Sequence, residues 1–577
     1  MIVLGLNIFH ADTSAALIVN EKIIVAIEEE RFTKIKHYSG LPINAIEHCL
    51  NSSNINISEV DIIALNYKSK YNFFQKILFS LKNINFSTFN KIIALKKKNN
   101  VKNILEEILN KKISAKIVHV PHHIAHISSS YFISGLDDAI GLTVDGSGDF
   151  STSESFILEN NSVKGIEKVF YPHSLGIFYQ TFTQYLGFQN YGDEYKMMGL
   201  SSYGEPKYIN RVKKVISYDK NGNFKLNLKY FNHHKNMISF NSDEGLPVFS
   251  NFFNSKFIEL FGNQRSLMNK ITEYHKDLAS SVQKIFEEII ILKILHLHKK
   301  YAKKNLVLSG GCFFNSILNG KIHDLELFDN ISISPFPGDM GGGLGAALYL
   351  IKDREHFKNR PLETPYLGTN YSNDYIEKEV IKEKNLENSS TINVEYYKNF
   401  SEITPLIAKK IFENKLVAWF QDKSEFGPRA LGNRSLLANP INKKIKEIIN
   451  EKIKKRENFR PFAPVVLEEN YKDYFYQKFP SPYMEFVFKA KDKAKNEIPG
   501  VVHVDGTSRV QTVNKNQNHK LYGLLIEFKK LTNVPVLLNT SLNINEPINN
   551  DPLTAYETFT KSNIDILVMQ NYVFTKK

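Results

Sequence analysis

Cysteine is scarce in this 577-residue chain, which holds Cys49 and Cys312 and no others. Two thiols exclude a disulfide scaffold and a metal site built from cysteine alone, and they suit a reducing cytoplasm. Long apolar runs are missing too: no uninterrupted stretch reaches the ~18 residues of a membrane span. The opening MIVLGLNIFHADTSAALIV has no basic leader, and His10 and Asp12 interrupt it, so it reads as a folded strand pair and not a signal peptide. A soluble cytoplasmic protein with no membrane partner is the expectation.

Apolar residues make up 42% of the chain and aromatics 12%, which excludes global disorder. At roughly 150 residues per domain the length suggests several lobes. The net charge of +14 raises the question of nucleic acid. The lysines are scattered, however, with local runs at Lys96–Lys98 and Lys452–Arg456. Solvated surface is the simpler reading, so nucleic acid is not expected as a partner, and the charge suits anionic small substrates such as ATP or an acyl phosphate.

Strand candidates occur in two similar units. Ile2–Ile8, Ala15–Val19 and Ile23–Ile27 are separated by the turns His10–Ser14 and Asn20–Lys22; Ala139–Val144, Ser155–Leu158 and Val163–Val169 are separated by Asp145–Asp149 and Asn160–Asn161. The repetition suggests a duplicated α/β architecture. A long amphipathic helix follows, with Leu278, Val282, Ile285, Phe286, Ile289 and Leu292 on one stripe. His296 and His298 near its end do not share a face and read as surface or capping residues. Strands at Asn305–Leu308 and Ile331–Ser334 open into glycine-rich turns. Gly146, Gly310, Gly311 and Gly338, with Asn315 nearby, are candidate nucleotide-phosphate contacts, because such turns bring backbone amides to an anion; tight packing is the alternative. Residues 353–370, with Pro361, Pro365 and Gly368, read as a linker between domains at 1–352 and 371–577. In the second domain, Leu416–Phe420 and Val534–Leu538 read as strands.

His122 and His126 are four apart, so on a helix both imidazoles leave one face and can share an ion, though such a pair alone also occurs without one. Asp145 and Asp339 lie in glycine-rich turns and could complete a His/Asp set suited to Fe(II), Zn or Mn.

Long stretches, in order, carry a family resemblance: GLNIFHADTSAAL, EEERFTKIKH, HHIAHISSSYFISG, TVDGSGD, GDEYKMMGLSSYG, LSGGCFFNSILNGKI and PGDMGGGLGAAL, then FGPRALGNRSLLANP, FRPFAPVV, TSRVQTV and NTSLNINEPI. The chain resembles the NodU/CmcH carbamoyltransferases over essentially its whole length. The resemblance implies a duplicated α/β N-terminal Kae1-like domain of the actin/Hsp70/sugar-kinase superfamily and a C-terminal YrdC-like α/β domain. The YrdC-like domain is expected to make carbamoyl adenylate from carbamoyl phosphate and ATP. The Kae1-like domain is expected to move the carbamoyl group to an acceptor hydroxyl of a small molecule or glycan, at a metal–nucleotide site with Fe(II). Carried over by residue, His122, His126, Asp145 and Asp339 correspond to the metal set, and Arg429, Arg460, Arg509 and Asn539 to the carbamoyl phosphate and adenylate set. Arg460 is the catalytic member of the second set, and His10 and Lys36 lie near the acceptor and transferred group. Asn545 stands where the family pattern has glycine before Glu-Pro.

The chemistry suits these types. Guanidinium forks grip phosphate bidentately, and Asn539 can both donate to and accept from a carbamoyl amide. Arg434 and Arg456 read as salt-bridge residues or helpers. His10 could take the acceptor's proton or merely bond the turn backbone, and Lys36 could hold phosphate or be solvated. A homodimer is compatible with the chain. Two other readings stand beside carbamoyl transfer: a kinase or ATPase of the same superfamily, which would form ADP, and an RNA-associated module related to threonylcarbamoylation, which would bind RNA in a salt-sensitive way.

Overall fold

The structure is a computed structural model that describes residues 1–82, 100–235, 239–241, 245–351 and 361–577. The lysine run at 96–98 and residues 353–360 of the expected linker lie outside the described residues. The chain divides into two compact units, Met1–Leu362 and Glu363–Lys577.

The first unit holds two five-stranded mixed sheets. Ile2–Asn7 (β1), Ser14–Val19 (β2), Lys22–Glu28 (β3), Ile62–Leu65 (β4) and Lys116–His119 (β5) line up as β3-β2-β1-β4-β5. Asp138–Gly148 (β6), Ser151–Glu159 (β7), Ser162–Phe170 (β8), Asn305–Ser309 (β9) and Asn330–Ile333 (β10) line up as β10-β9-β6-β7-β8. In both sheets the three-strand meander is antiparallel; its first strand pairs in parallel with the fourth strand, which pairs in parallel with the fifth. The expected duplication is visible in this shared order. Consecutive residues of β1, Val3 through Asn7, are buried, so the strand is covered on both faces.

One expected turn is not where the polar residues suggested. β6 runs on through Gly148, its register slips between Val144 and Gly148, and Asp149 and Phe150 make the hairpin turn with φ of 48° and 72°. A bulge of this kind re-aims a side chain without ending the strand, and it frees Asp145 from the ladder.

Three helices matter for the site. The first, α1, spans His122–Tyr131; the second, α2, Glu273–Tyr301; the third, α3, Met340–Leu350. The predicted stripe of α2 is buried except for Leu292, which is half-buried, while its neighbour Lys293 is buried and bonds Glu167 and Asn223. His296 lies 3.5 Å from Glu167, and the His298 ring packs on Phe328. The glycines of α3 serve close packing. A Cβ on Gly343 would sit 2.9 Å from the Asn7 amide nitrogen, and one on Gly345 would sit 1.9 Å from the Ala125 carbonyl oxygen. α3 therefore rests directly on β1 and α1, although each helical glycine costs up to about 1 kcal/mol of intrinsic helix stability.

The second unit is built on an eight-stranded mixed sheet. Its order is Ile392–Tyr396, Tyr572–Lys576, Ile566–Met569, Val417–Phe420, Arg434–Ala438, Val536–Ser541, Ala463–Leu467 and Gln511–Val513. Within the expected linker, residues 361–370 are bonded into structure. Leu362 donates to Ile133, Gly368 donates to Ser424, and the Thr369 hydroxyl donates to the Asn550 side chain at 2.7 Å. Asn545 has an ordinary negative φ, so its turn does not require glycine. Among the described residues no helix is long and apolar enough to cross a membrane.

Candidate active site

In the first unit, α1 begins at His122, directly after Pro121. The Asp149 carboxylate, across the β6–β7 hairpin, accepts the His122 N–H at 2.9 Å and caps an otherwise open helix start. The i,i+4 spacing then puts both imidazoles on one face. His122 Nε2 and His126 Nε2 are 3.0 Å apart. Asp145 Oδ2, from the β6 bulge, lies 3.1 Å from the first and 3.4 Å from the second. Asp339 Oδ1, at the start of α3, lies at 3.5 and 3.2 Å. All four donors fall within 4.8 Å of one another. Metal–ligand bonds of ~2.0–2.1 Å put adjacent donors roughly 3.0–3.4 Å apart, so the set fits a cation. Two carboxylates with two imidazoles match a divalent ion in charge and softness.

The surroundings hold this set in place. Asp145 Oδ1 accepts the Gly311 N–H at 3.2 Å. Gly310, at φ +96°, brings β9 so close to β6 that a Cβ would lie 2.3 Å from the Val144 carbonyl oxygen. His10 Nδ1 is 2.7 Å from Asp339 Oδ2. Burial alone would raise both aspartates, but His10 above all holds Asp339 below the usual carboxylate range, and His122 and His126 do the same for Asp145. Burial likewise opposes a charged His126, yet Asp145 and Asp339 outweigh it and push that imidazole up to about 10. His123 points away, as its spacing predicts: Nδ1 meets the Thr143 hydroxyl at 2.8 Å, and burial, aided by His122 and His126, pushes its pKa down to about 3.

The candidate phosphate turns divide. A Cβ on Gly146 would meet nothing within 4 Å, so that backbone is open. One on Gly338 would strike the Phe314 ring at 2.6 Å. Asn315 is occupied, capping the helix Ser316–His323 and exchanging hydrogen bonds of 2.9 and 3.0 Å with Gln283. Lys36 is exposed, directly before His37. His37, Asp12 and Glu30 form a further group of potential ligands within 4.8 Å of one another. Sequence reading passed over His37 and Asp12, although both stand in stretches that carry the family resemblance.

In the second unit, charges converge. Half-buried Arg509 has its pKa pushed well down, first by burial and then by Arg429, Arg456 and Arg460. Its Nε is buried without a hydrogen-bond partner. Glu485 is buried nearby, raised by burial and drawn back by Arg429 and Arg509. Arg460 lies 3.8 Å from Glu457. Asn539 donates from Nδ2 to Gln511 at 2.7 Å and to the Ala430 carbonyl at 3.1 Å, while its Oδ1 is buried without a partner.

Arg456 therefore belongs to this cluster, with its guanidinium over Phe462 and its Nε bonded to Asn450 at 2.7 Å. Arg434 does not: fully buried, it donates to four backbone carbonyls and lies 3.7 Å above the Phe420 ring. Lys454, within the run expected to be solvated, is buried and bonds the Ser541 and Asn543 carbonyls at 2.6 and 2.7 Å.

Comparison with known proteins bears on what this arrangement does. A family model described as carbamoyltransferase N-terminus matches residues 2–348, and one described as carbamoyltransferase C-terminus matches residues 408–576. An uncharacterized protein of Synechocystis sp. is 33% identical, with 100% of this chain and 96% of that protein covered. Nodulation protein NolNO of Sinorhizobium fredii is 32% identical over 99% of this chain and 80% of its own length. Nodulation protein U of the same organism is 32% identical over 52% of this chain and 50% of its own.

Proposed function

Since this chain belongs to the carbamoyltransferase family and is an enzyme of that class, we propose that it carbamoylates a hydroxyl acceptor, a small molecule or glycan, in two ATP-dependent stages. In the first stage, assigned to a YrdC-like second unit, water cleaves carbamoyl phosphate to carbamate and phosphate. A carbamate oxygen then attacks the α-phosphorus of ATP and pyrophosphate leaves, giving carbamoyl adenylate. In the second stage, assigned to a Kae1-like first unit, the acceptor oxygen takes the carbamoyl group and AMP leaves.

The observation that carries this reading is the gathering of Arg429, Arg456 and Arg460 around Arg509, beside a buried and unpartnered Asn539 Oδ1. Crowded guanidinium groups are stabilised by a polyanion, and a lone amide oxygen is satisfied by an N–H donor; carbamoyl phosphate offers both. Arg429, Arg460 and Arg509 hold phosphate oxygens, and Asn539 accepts from the carbamoyl amide. His122, His126, Asp145 and Asp339 would hold the metal, Fe(II) in this proposal. A cation bound there supplies Lewis-acid polarisation of the carbamoyl carbonyl. His10 orients Asp339, Lys36 contacts the transferred group, and the open Gly146 turn faces the nucleotide, with the Gly310–Gly311 and Gly338 turns and Asn315 supporting it through their packing.

Incubation with ATP, carbamoyl phosphate and Fe(II) or Mn(II), followed by mass spectrometry, tests the proposal. Carbamoyl-AMP and pyrophosphate are expected. Arg460→Ala should abolish adenylate formation, whereas His126→Ala should retain it and lose transfer. ADP formed without any need for carbamoyl phosphate would overturn the reading in favour of a kinase or ATPase.

A further inference from the structure

Transfer to a hydroxyl requires a group that takes the hydroxyl proton, and the carboxylate partner of His10, Asp339, is itself a member of the four-donor cluster. A second imidazole stands on the same framework. His37 Nδ1 lies 2.7 Å from Asp12 Oδ1, and its backbone N–H donates to Glu30 at 2.8 Å. Backbone bonds from Phe9 to Gly40 (2.9 Å) and from Thr13 to Tyr38 (3.0 Å) tie its segment to the loop that carries His10. Phe9, Asp12 and His37 all hold left-handed φ values, of 51°, 57° and 57°. Each costs roughly 1–2 kcal/mol in a residue with a Cβ, and such strain gathers at functional sites.

The opposite wall is equally specific. Tyr191 packs edge-on to His37 with ring centroids 5.1 Å apart. Gly192, at φ +81°, leaves room that a Cβ would fill, 2.2 Å from His37 Nε2. Burial raises the Tyr191 hydroxyl, and the charges of Asp339, Asp12 and Asp145 add to it, so Tyr191 lies in the electrostatic field of both the His37–Asp12 pair and the four-donor cluster.

We propose that His37, oriented by Asp12, is the general base that takes the acceptor's hydroxyl proton during carbamoyl transfer, an assignment that rests on the two-stage reading above. Donation from Nδ1 to Asp12 fixes the tautomer and leaves the Nε2 lone pair as the acceptor, the arrangement by which a carboxylate orients a catalytic imidazole. The acceptor oxygen bonds to the carbamoyl carbon, the bond from that carbon to the adenylate oxygen breaks, and AMP departs with the electron pair. The hydroxyl proton passes to Nε2 and then to solvent. The imidazolium so formed faces Asp12, Glu30 and Glu194. Burial opposes it, but those carboxylates, Asp12 first, push His37 up to about 9. Glu194 is itself raised to about 7, by burial foremost.

The test uses the full chain loaded with Fe(II) or Mn(II), making carbamoyl adenylate in place from ATP and carbamoyl phosphate, with two probe nucleophiles. Glycerol must lose a proton to a base, whereas hydroxylamine attacks through its own lone pair. His37→Asn keeps an N–H for Asp12 and should cut glycerol carbamate formation by about 100-fold or more, the low end of general-base contributions. It should leave hydroxyurea formation within about threefold and pyrophosphate release unchanged. In the unsubstituted enzyme the glycerol rate should rise with pH through a midpoint near 9 and level off above it, and in His37→Asn it should be flat. Parallel losses with both nucleophiles would make His37 a positioning residue and overturn the assignment. Equal glycerol rates in the two enzymes, zero included, would overturn it as well. Absence of pyrophosphate from the unsubstituted enzyme is a separate result that refutes the two-stage reading itself.

Discussion

An alanine at position 148 would place its Cβ 2.0 Å from Cδ2 and 2.1 Å from Cγ of His122. Ordinary carbon contacts begin near ~3.5 Å, so ring or strand must yield by roughly 1.5 Å. His122 is buried on α1, its N–H is held by Asp149, and its ring is packed between His10 and His123. The ring therefore has little room to move without carrying Nε2 out of the cluster. Metal sites tolerate donor errors of about 0.2 Å, and loss of a mere supporting contact already weakens binding by 10–100-fold. Gly148→Ala should thus lower divalent-metal affinity by at least about 100-fold, with overpacking destabilising the first unit by about 1–3 kcal/mol. Metal content after dialysis against graded chelator, measured on protein whose circular dichroism matches the parent, reads the affinity directly. Carbamoyl phosphate-dependent pyrophosphate release should be unaffected. Metal bound with parental stoichiometry and affinity would refute the placement of His122 among the ligands.

Three other outcomes follow from the packing and charge already described. Arg434→Met removes the donor to four backbone carbonyls in the core of the second unit and should lower its stability by about 3–5 kcal/mol, measured by chemical denaturation; a change under about 1 kcal/mol would contradict its structural role. Asn539→Ala removes the unpartnered buried acceptor and should reduce carbamoyl phosphate-dependent pyrophosphate release by roughly 10–100-fold, with ATP affinity little changed; an unaltered steady-state rate would argue that the carbamoyl amide binds elsewhere. His233 is buried, and burial foremost pushes its pKa down to about 4 from an unperturbed 6.5. The unfolded chain then binds the extra proton, so stability is full above pH 6.5 and falls as pH drops toward 4, by up to about 1.4 kcal/mol per unit. His233→Gln should flatten that limb of a melting-temperature profile, and an unchanged slope would assign the loss to other groups.

The α/β units and the histidine pair were legible because they rest on short-range rules. Short apolar runs bounded by polar turns gave β1–β3, and the i,i+4 spacing gave the shared face of α1. Asp145 was legible as a ligand candidate but not as part of a strand, since a bulge depends on what the partner strand opposes. The glycine run in α3 looked like a phosphate cradle; its contacts with Asn7 and Ala125, more than a hundred residues away in sequence, turn it into packing. Composition misled at Lys454, whose charge is buried against carbonyls that only the fold supplies. Arg434 and Arg456 looked alike as helpers. Their fates differ because one side chain points into a core and the other into a cluster of like charge, and no local pattern distinguishes these.

The glycine face of α3 has a thermodynamic consequence. Asp339 enters the cluster from the start of that helix, and both histidines from α1, and the two backbones touch at Gly345 and Ala125 with no side chain between them. Donor spacing is therefore set by how two main chains seat on each other, and any opening of the first unit's core scatters the ligands. With the proposed metal bound, occupancy and folding would be linked: a cation at ~100 times its dissociation constant would add about 2.7 kcal/mol to the native state, and chelation would withdraw it. Under the proposed metal role, the melting temperature of the first unit would report occupancy of the four-donor cluster.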